Sequence, residues 1–246
     1  QSINQSINQS INQSINQSKM KKQIVLILIA FNLTFTVSGQ EINDFFSTLS
    51  KNNLFNGSVL ISKSGKNIFF NSYGYSNIEK KEKITEKSQF PIASVSKTFT
   101  AVAILQLKQR GKLSIEDRVQ KYLLDFPYPN VSIRHLISNT SGLAQYNRLF
   151  DNAIKERPEK IFSNEDIIPA LIENKMPLSF VSGDKWEYNN VNFCLAALIV
   201  EKITGISFRD YLEKNIFGPA KMKDSFLPKD RRLKEPNQVE LYTYPN

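Results

Sequence analysis

From Ser94 to Gln109 the chain reads as one helix. Its residues Phe99, Val102, Ala103, Ile104 and Leu105 leave almost no polar face. A helix that is apolar nearly all round has to be buried on every side. This segment therefore sets the centre of whatever the chain folds into. Gly111 is placed to end it in the left-handed C′ manner. Its first turn carries Ser94-Val95-Ser96-Lys97. Residues three apart on a helix share a face, so an amine stands beside a hydroxyl. That pair is the minimum apparatus for making a serine nucleophilic without a histidine.

Ser-x-x-Lys alone is a weak signal, since it occurs at Ser18/Lys21, Ser94/Lys97 and Ser182/Lys185. Only Ser94 opens an apolar helix. There the N-terminal peptide N–H groups favour developing negative charge, and a partly desolvated Lys97 has the setting an amine needs to act as a general base. Tyr-x-Asn is equally common, at Tyr75, Tyr128, Tyr188 and Tyr244. Tyr188 stands apart because the loop residues 183–187 precede it and an apolar helix follows from Val191. A phenol carried there can be rigidly aimed and can relay protons.

The remaining chain supplies the frame. Asn43–Leu54 reads as a helix, with Phe45, Phe46 and Leu49 on one face. Gly57–Ser62 and Asn67–Tyr73 read as strands around the turn Lys63-Ser64-Gly65-Lys66. Ser114-Ile115-Glu116-Asp117 has the pattern of a capping box opening a short helix. Further helices are expected over Val131–Ser138, Asn164–Glu173, Asn190–Ile203 and Ser207–Ile216. One hairpin is too little sheet to cover a helix, so further strands are needed.

Residues 1–18 repeat Gln-Ser-Ile-Asn and cannot form a core, so 1–19 is expected to be disordered. The repeat matches a translated CAAT microsatellite, which uniform codons would support. Met20 to Gly39 has the plan of a signal peptide: Lys19, Lys21 and Lys22, an apolar run from Ile24, and Val37-Ser38-Gly39 before Gln40. The run is too short and interrupted for a span of about 20 residues, so export to the periplasm or medium without a stable membrane anchor is expected. Removing the three leader lysines takes the formal charge from +9 to +6. No basic run with interleaved aromatics is present, so nucleic acid is not an expected partner. Cys194 is the only cysteine, which excludes an intrachain disulfide, and its apolar surroundings read as packing. With one histidine and one cysteine, no metal or other cofactor is expected.

The string Phe90-Pro91-Ile92-Ala93-Ser94-Val95-Ser96-Lys97-Thr98-Phe99-Thr100 resembles the nucleophile segment of the serine β-lactamase-like family. That family includes class C β-lactamases, D-alanyl-D-alanine peptidases and related esterases. Lys185-Trp186-Glu187-Tyr188-Asn189-Asn190 resembles its second motif. Two further stretches, 111–117 and 133–143, match its usual sequence. The resemblance runs from about Gly57 to about Leu227.

The resemblance implies an α/β fold of the α+β type, with an antiparallel sheet, flanking helices and a helical subdomain over about 112–227 within a domain spanning 40–246. It implies an acyl-enzyme on Ser94 and hydrolysis of an amide or ester: a β-lactam, a D-amino-acid peptide or a simple ester. Lys97 would take the serine proton or hold the proton network, Tyr188 would activate the serine and then water, and Asn190 would bind Lys97 and a substrate amide. Which of Lys97 and Tyr188 is the base stays open, because coupled groups titrate together. The alternative is a non-catalytic relative that binds penicillin or peptidoglycan.

His135 is expected to pack, not to act as a base. Lys63-Ser64-Gly65 imitates the family's third motif but precedes the nucleophile, so it reads as a turn. After Tyr188 no Lys-x-Gly or His-x-Gly occurs. In the family that triplet lies on a strand beside the nucleophile and supplies an oxyanion N–H. A polypeptide without those C-terminal strands is expected to be poorly folded and inactive, and the full-length gene product an active hydrolase.

Overall fold

The computed structural model describes residues 39–229 and 235–242. The repeat lies outside the described residues, as does the leader apart from Gly39. The chain divides into two units, one over residues 1–88 and 239–246 and the other over Gln89–Gln238.

In the first unit, helix α1 (Gly39–Lys51) precedes an antiparallel hairpin of β1 (Gly57–Lys63) and β2 (Lys66–Tyr73). Ser64 and Gly65 at its tip have φ of 49° and 74°. Two positive φ values in succession are what a right-twisted two-residue hairpin turn requires. Phe46 of α1 packs on Tyr73 and Phe55 at ring separations of 5.9 and 5.0 Å. Asn43 Oδ1 accepts from Asn71 Nδ2 and from the Tyr73 hydroxyl. The helix thus packs against β2 of the hairpin. A short second ladder joins β3 (Tyr75–Asn77) to β4 (Glu82–Lys83).

The second unit is helical. A 3-10 turn over Ala93–Val95 leads into α2 (Ser96–Gln109). Then follow α3 (Ile133–Ile137), α4 (Tyr146–Glu156), α5 (Ile167–Glu173), α6 (Asn190–Thr204) and α7 (Phe208–Leu212). A π-helical turn over Glu213–Phe217 continues α7. At the centre lies α6, whose Val191, Leu195, Ala196, Ile199 and Val200 are fully buried. It packs against α2, α3 and α7. Among the described residues no single helix is long and apolar enough to cross a membrane.

Several local expectations need correction. Burial of α2 is confined to one stripe, Thr100, Ala103, Ile104 and Leu107, at the i, i+3, i+4, i+7 spacing. Leu105 is exposed, because the helices packed on α2 within this unit cover that stripe alone. The start of the predicted helix is a 3-10 turn, so Ser94 sits just ahead of α2. The pattern at Ser114–Asp117 closes a turn and opens no α-helix: Asp117 Oδ2 accepts from Ser114 N–H, and Asp117 N–H donates to Ser114 O. Helix α4 had no counterpart in the sequence reading.

The C-terminal stop of α2 is as expected. Gly111 has φ 68°, its N–H donates to Lys108 O, and Lys112 N–H reaches back to Leu107 O. These are the two bonds of a Schellman motif. Cys194 is half-buried against the core.

Candidate active site

The turn that carries Ser94 is held open by local chemistry. Ala93 has φ 45°, a left-handed conformation that costs a residue with a Cβ about 1–2 kcal/mol. Ser96 Oγ donates to Ala93 O at 2.6 Å and clamps that turn. Strain of this kind persists only where surrounding structure over-determines it. The result is an exposed Ser94 at the N-terminal end of α2, where the helix dipole favours negative charge.

Lys97, half-buried one turn on, donates from Nζ to Ser94 Oγ at 3.2 Å. Ser94 Oγ lies 2.5 Å from Tyr188 Oη. The same ammonium stands 4.8 Å from the Tyr188 ring centre and 5.8 Å from that of Phe193, within the range where an aromatic face attracts a cation. Residues 94 positions apart in sequence therefore meet at one oxygen. The Lys97 ammonium beside the phenol is the main cause that pulls Tyr188 below the ordinary phenol pKa, with its bond to Ser94 next; partial burial opposes them less strongly.

An ammonium can only donate. With Lys97 charged it occupies one Ser94 lone pair, and the Ser94 hydroxyl can either donate to Tyr188 Oη or accept from it. The three polar groups thus meet at one oxygen, with Lys97 and Tyr188 each within proton-transfer distance of it.

Tyr188 is aimed from behind by contacts that sequence reasoning missed. Asn189 N-caps α6 through Val191 N–H, and its Nδ2 donates to Leu143 O. Gln145 Nε2 donates to both Glu187 Oε1 and Tyr188 O. Segments 139–145 and 179–192 are further tied by Gly183 N–H to Thr140 O, Ser179 N–H to Gly142 O and Ser182 Oγ to Ser141 O. The stretch 139–143 was visible in the sequence as a family-like string, but nothing local told that it would clasp the tyrosine loop.

Asn190 is placed differently from its expected role. It is exposed in the first turn of α6, and no hydrogen bond joins its side chain to Lys97. The fully buried asparagine is Asn192, two residues on. His135 stays out of the site: its Nδ1 accepts from Ser132 N–H and Ser132 Oγ caps the His135 N–H. Burial, then nearby Arg118, hold its pKa below the usual imidazole value. Lys63-Ser64-Gly65 is the hairpin tip.

Comparison with known proteins fits this geometry. The family model described as Beta-lactamase matches residues 42–243. The chain belongs to the beta-lactamase family. It is 36% identical over 205 residues to penicillin-binding protein 4* of Bacillus subtilis (strain 168), covering 83% of this chain and 45% of that protein. Among solved structures, a penicillin binding protein from Bacillus halodurans aligns with TM-score 0.68 and 32% identity, over 78% of this chain and 58% of that one. A class C beta-lactamase in complex with cefoxitin aligns with TM-score 0.66 and 25% identity, over 82% and 55%. The beta-lactamase fold, with helices and small antiparallel sheets, is the one expected from the sequence. The chain spans 45% to 58% of the length of these relatives.

Proposed function

We propose that this beta-lactamase-family chain is an acyl-serine hydrolase whose nucleophile is Ser94. The observation that carries the proposal is the convergence of Lys97 Nζ and Tyr188 Oη on one serine oxygen, at 3.2 and 2.5 Å. As a Ser94 oxygen attacks a carbonyl carbon, its proton passes to Tyr188 Oη, and Lys97 stabilises the phenolate that receives it. The tetrahedral intermediate collapses when Tyr188 returns that proton to the leaving nitrogen or oxygen. A water then enters, gives its proton to Tyr188, attacks the ester on Ser94 and releases the acid. The proton goes back to Ser94 Oγ. A base poised this way contributes on the order of 10²–10⁴ in rate.

The substrate class implied by the family resemblance is a β-lactam, a D-amino-acid peptide or an ester, all of which present a carbonyl with a nitrogen or oxygen leaving group. Residues 189–246 contain no Lys-x-Gly or His-x-Gly triplet. By the family resemblance that triplet supplies one of two oxyanion donors, and lacking one costs on the order of 10²–10³ in rate. Turnover is therefore expected of a protein in which both oxyanion donors are present. Export is part of the same reading, supported by the basic, apolar and small-residue pattern of residues 19–39. N-terminal sequencing of protein recovered outside the cytoplasm should begin at Gln40; a chain retaining residues 20–39 would refute export by this route.

The test is steady-state turnover of a chromogenic cephalosporin, p-nitrophenyl acetate and a D-alanyl-D-alanine peptide by the full-length protein and its Ser94→Ala variant. Turnover of one of these, lost in Ser94→Ala, is the expected result. Covalent capture of penicillin on Ser94 with no turnover would replace the hydrolase with a penicillin-binding role. Neither capture nor turnover would sink both.

A further inference from the structure

We propose that Asn139 is a positioning residue for Tyr188, holding the peptide groups on both sides of the tyrosine and so setting where the phenol oxygen meets Ser94. The proposal rests on the reading of Ser94 and Tyr188 as the reacting pair. Asn139 O accepts from Glu187 N–H at 2.9 Å, and Asn139 Oδ1 accepts from Asn189 N–H at 3.1 Å. Residues 187 and 189 flank Tyr188, so one residue grips the chain immediately before and after it. Residues 185–189 belong to no helix or strand. Their placement therefore depends on such individual bonds.

The Asn139 side chain is itself locked. Its Oδ1 takes a second donor, Asn192 Nδ2, at 3.2 Å. Asn192 is fully buried, and its own Oδ1 accepts from Ser141 Oγ at 2.6 Å. An amide oxygen has two lone pairs, and both are used here. Removing that oxygen would leave the buried Asn192 amide and the Asn189 N–H short of a partner. Asn139 has φ 57°, a left-handed conformation that asparagine tolerates better than most residues. This conformation lets one residue turn its carbonyl to 187 and its side chain to 189. A misplacement of about 1 Å at a reacting group can cost on the order of 10²-fold in rate.

The experiment compares Asn139→Gly, which keeps the left-handed backbone and loses Oδ1, with Asn139→Asp, which keeps an acceptor. Each is made in the full-length protein with Tyr188 and with Tyr188→Phe. Tyr188 ionisation is read by NMR of ring-carbon-13-labelled tyrosine, and acylation by a fluorescent penicillin or p-nitrophenyl acetate. Asn139→Gly should move the Tyr188 titration up toward the ordinary phenol range and slow acylation about 10–100-fold. In the Tyr188→Phe background the same change should alter acylation by less than about threefold, since the effect acts through the tyrosine. Asn139→Asp should stay close to the parent in both readouts. Should the glycine variant not fold, Asn139→Ser, too short to reach both donors, serves the same comparison. An unmoved Tyr188 titration, or equal slowing with and without the Tyr188 hydroxyl, would overturn the proposal. If the parent is not acylated at all, the hydrolase reading fails, and the titration alone decides the role of Asn139.

Discussion

Gly142→Ala is the substitution whose cost follows most directly from the structure. Gly142 is buried with φ 75°, and a Cβ added there would lie 2.3 Å from the backbone oxygen of Phe180. Real Cβ atoms essentially never approach within 3.0 Å, so the two segments must part by about 0.7 Å. The obstacle is backbone, so it cannot rotate aside. The left-handed conformation alone costs alanine about 1–2 kcal/mol. Parting the segments weakens the bond from Ser179 N–H to Gly142 O, now 2.7 Å, for about 1 kcal/mol more. The smaller unfolded-state entropy of alanine returns about 0.4–1 kcal/mol. The net expectation is a loss of about 1–2.5 kcal/mol. Gly111→Ala is the control, because Gly111 has φ 68° and nothing within 4 Å of an added Cβ. It should lose about 1 kcal/mol from backbone strain alone. Urea unfolding followed by circular dichroism measures both. If Gly142→Ala costs no more than Gly111→Ala, the clasp between 139–145 and 179–192 is not tight, and the account of how Tyr188 is aimed fails with it.

Three further outcomes test separate links. Lys97→Met removes the cation that lowers the Tyr188 pKa; under the proposed mechanism, with the phenolate as proton acceptor, the rising limb of the pH–rate profile should move to higher pH, and an unmoved limb would show that another group sets it. Ala93→Gly relieves the left-handed strain before the nucleophile, so urea unfolding should show unchanged or up to about 1 kcal/mol greater stability, while acylation slows as Ser94 loses its fixed aim; unslowed acylation would show the strain to be idle. Burial raises the Asp117 pKa, but bonds from the Tyr122 hydroxyl, Ser114 N–H and Lys121 outweigh it and hold it below the usual carboxylate value. A depressed carboxylate stabilises the fold above its unfolded-state pKa and loses that contribution as pH falls through the folded value. Asp117→Asn should therefore cost about 1 kcal/mol near neutrality and progressively less below about pH 4; a cost that does not shrink in acid would contradict the assignment.

Sequence legibility followed how local the cause was. The hairpin turn at Ser64-Gly65 and the stop at Gly111 are set by residues that tolerate positive φ, so both could be read in place. That Ser94 and Lys97 share a helix face could be read from their spacing, whereas their meeting with Tyr188 is tertiary. Helix α4 carries Leu149, Phe150 and Ala153 at helical spacing but no local start signal. Its N-cap is Gln145, without a side-chain cap bond, so the usual start signal is missing. The asparagines around Tyr188 show the limit most clearly. Asn189, Asn190 and Asn192 look alike in sequence, yet the phase of α6 turns Asn192 into the core and leaves Asn190 outside. The partner that distinguishes them, Asn139, is about fifty residues away in the chain. No periodicity encodes that meeting.

The central claim is that Ser94 is the nucleophile and Tyr188 its proton acceptor. Mass spectrometry of the full-length protein after exposure to a fluorophosphonate or a fluorescent penicillin tests it most directly. The account predicts a single adduct on the peptide bearing Ser94, absent in Ser94→Ala and formed on the order of 10²–10⁴ more slowly in Tyr188→Phe. An adduct that persists in Ser94→Ala, or forms at the parent rate without the Tyr188 hydroxyl, would contradict it.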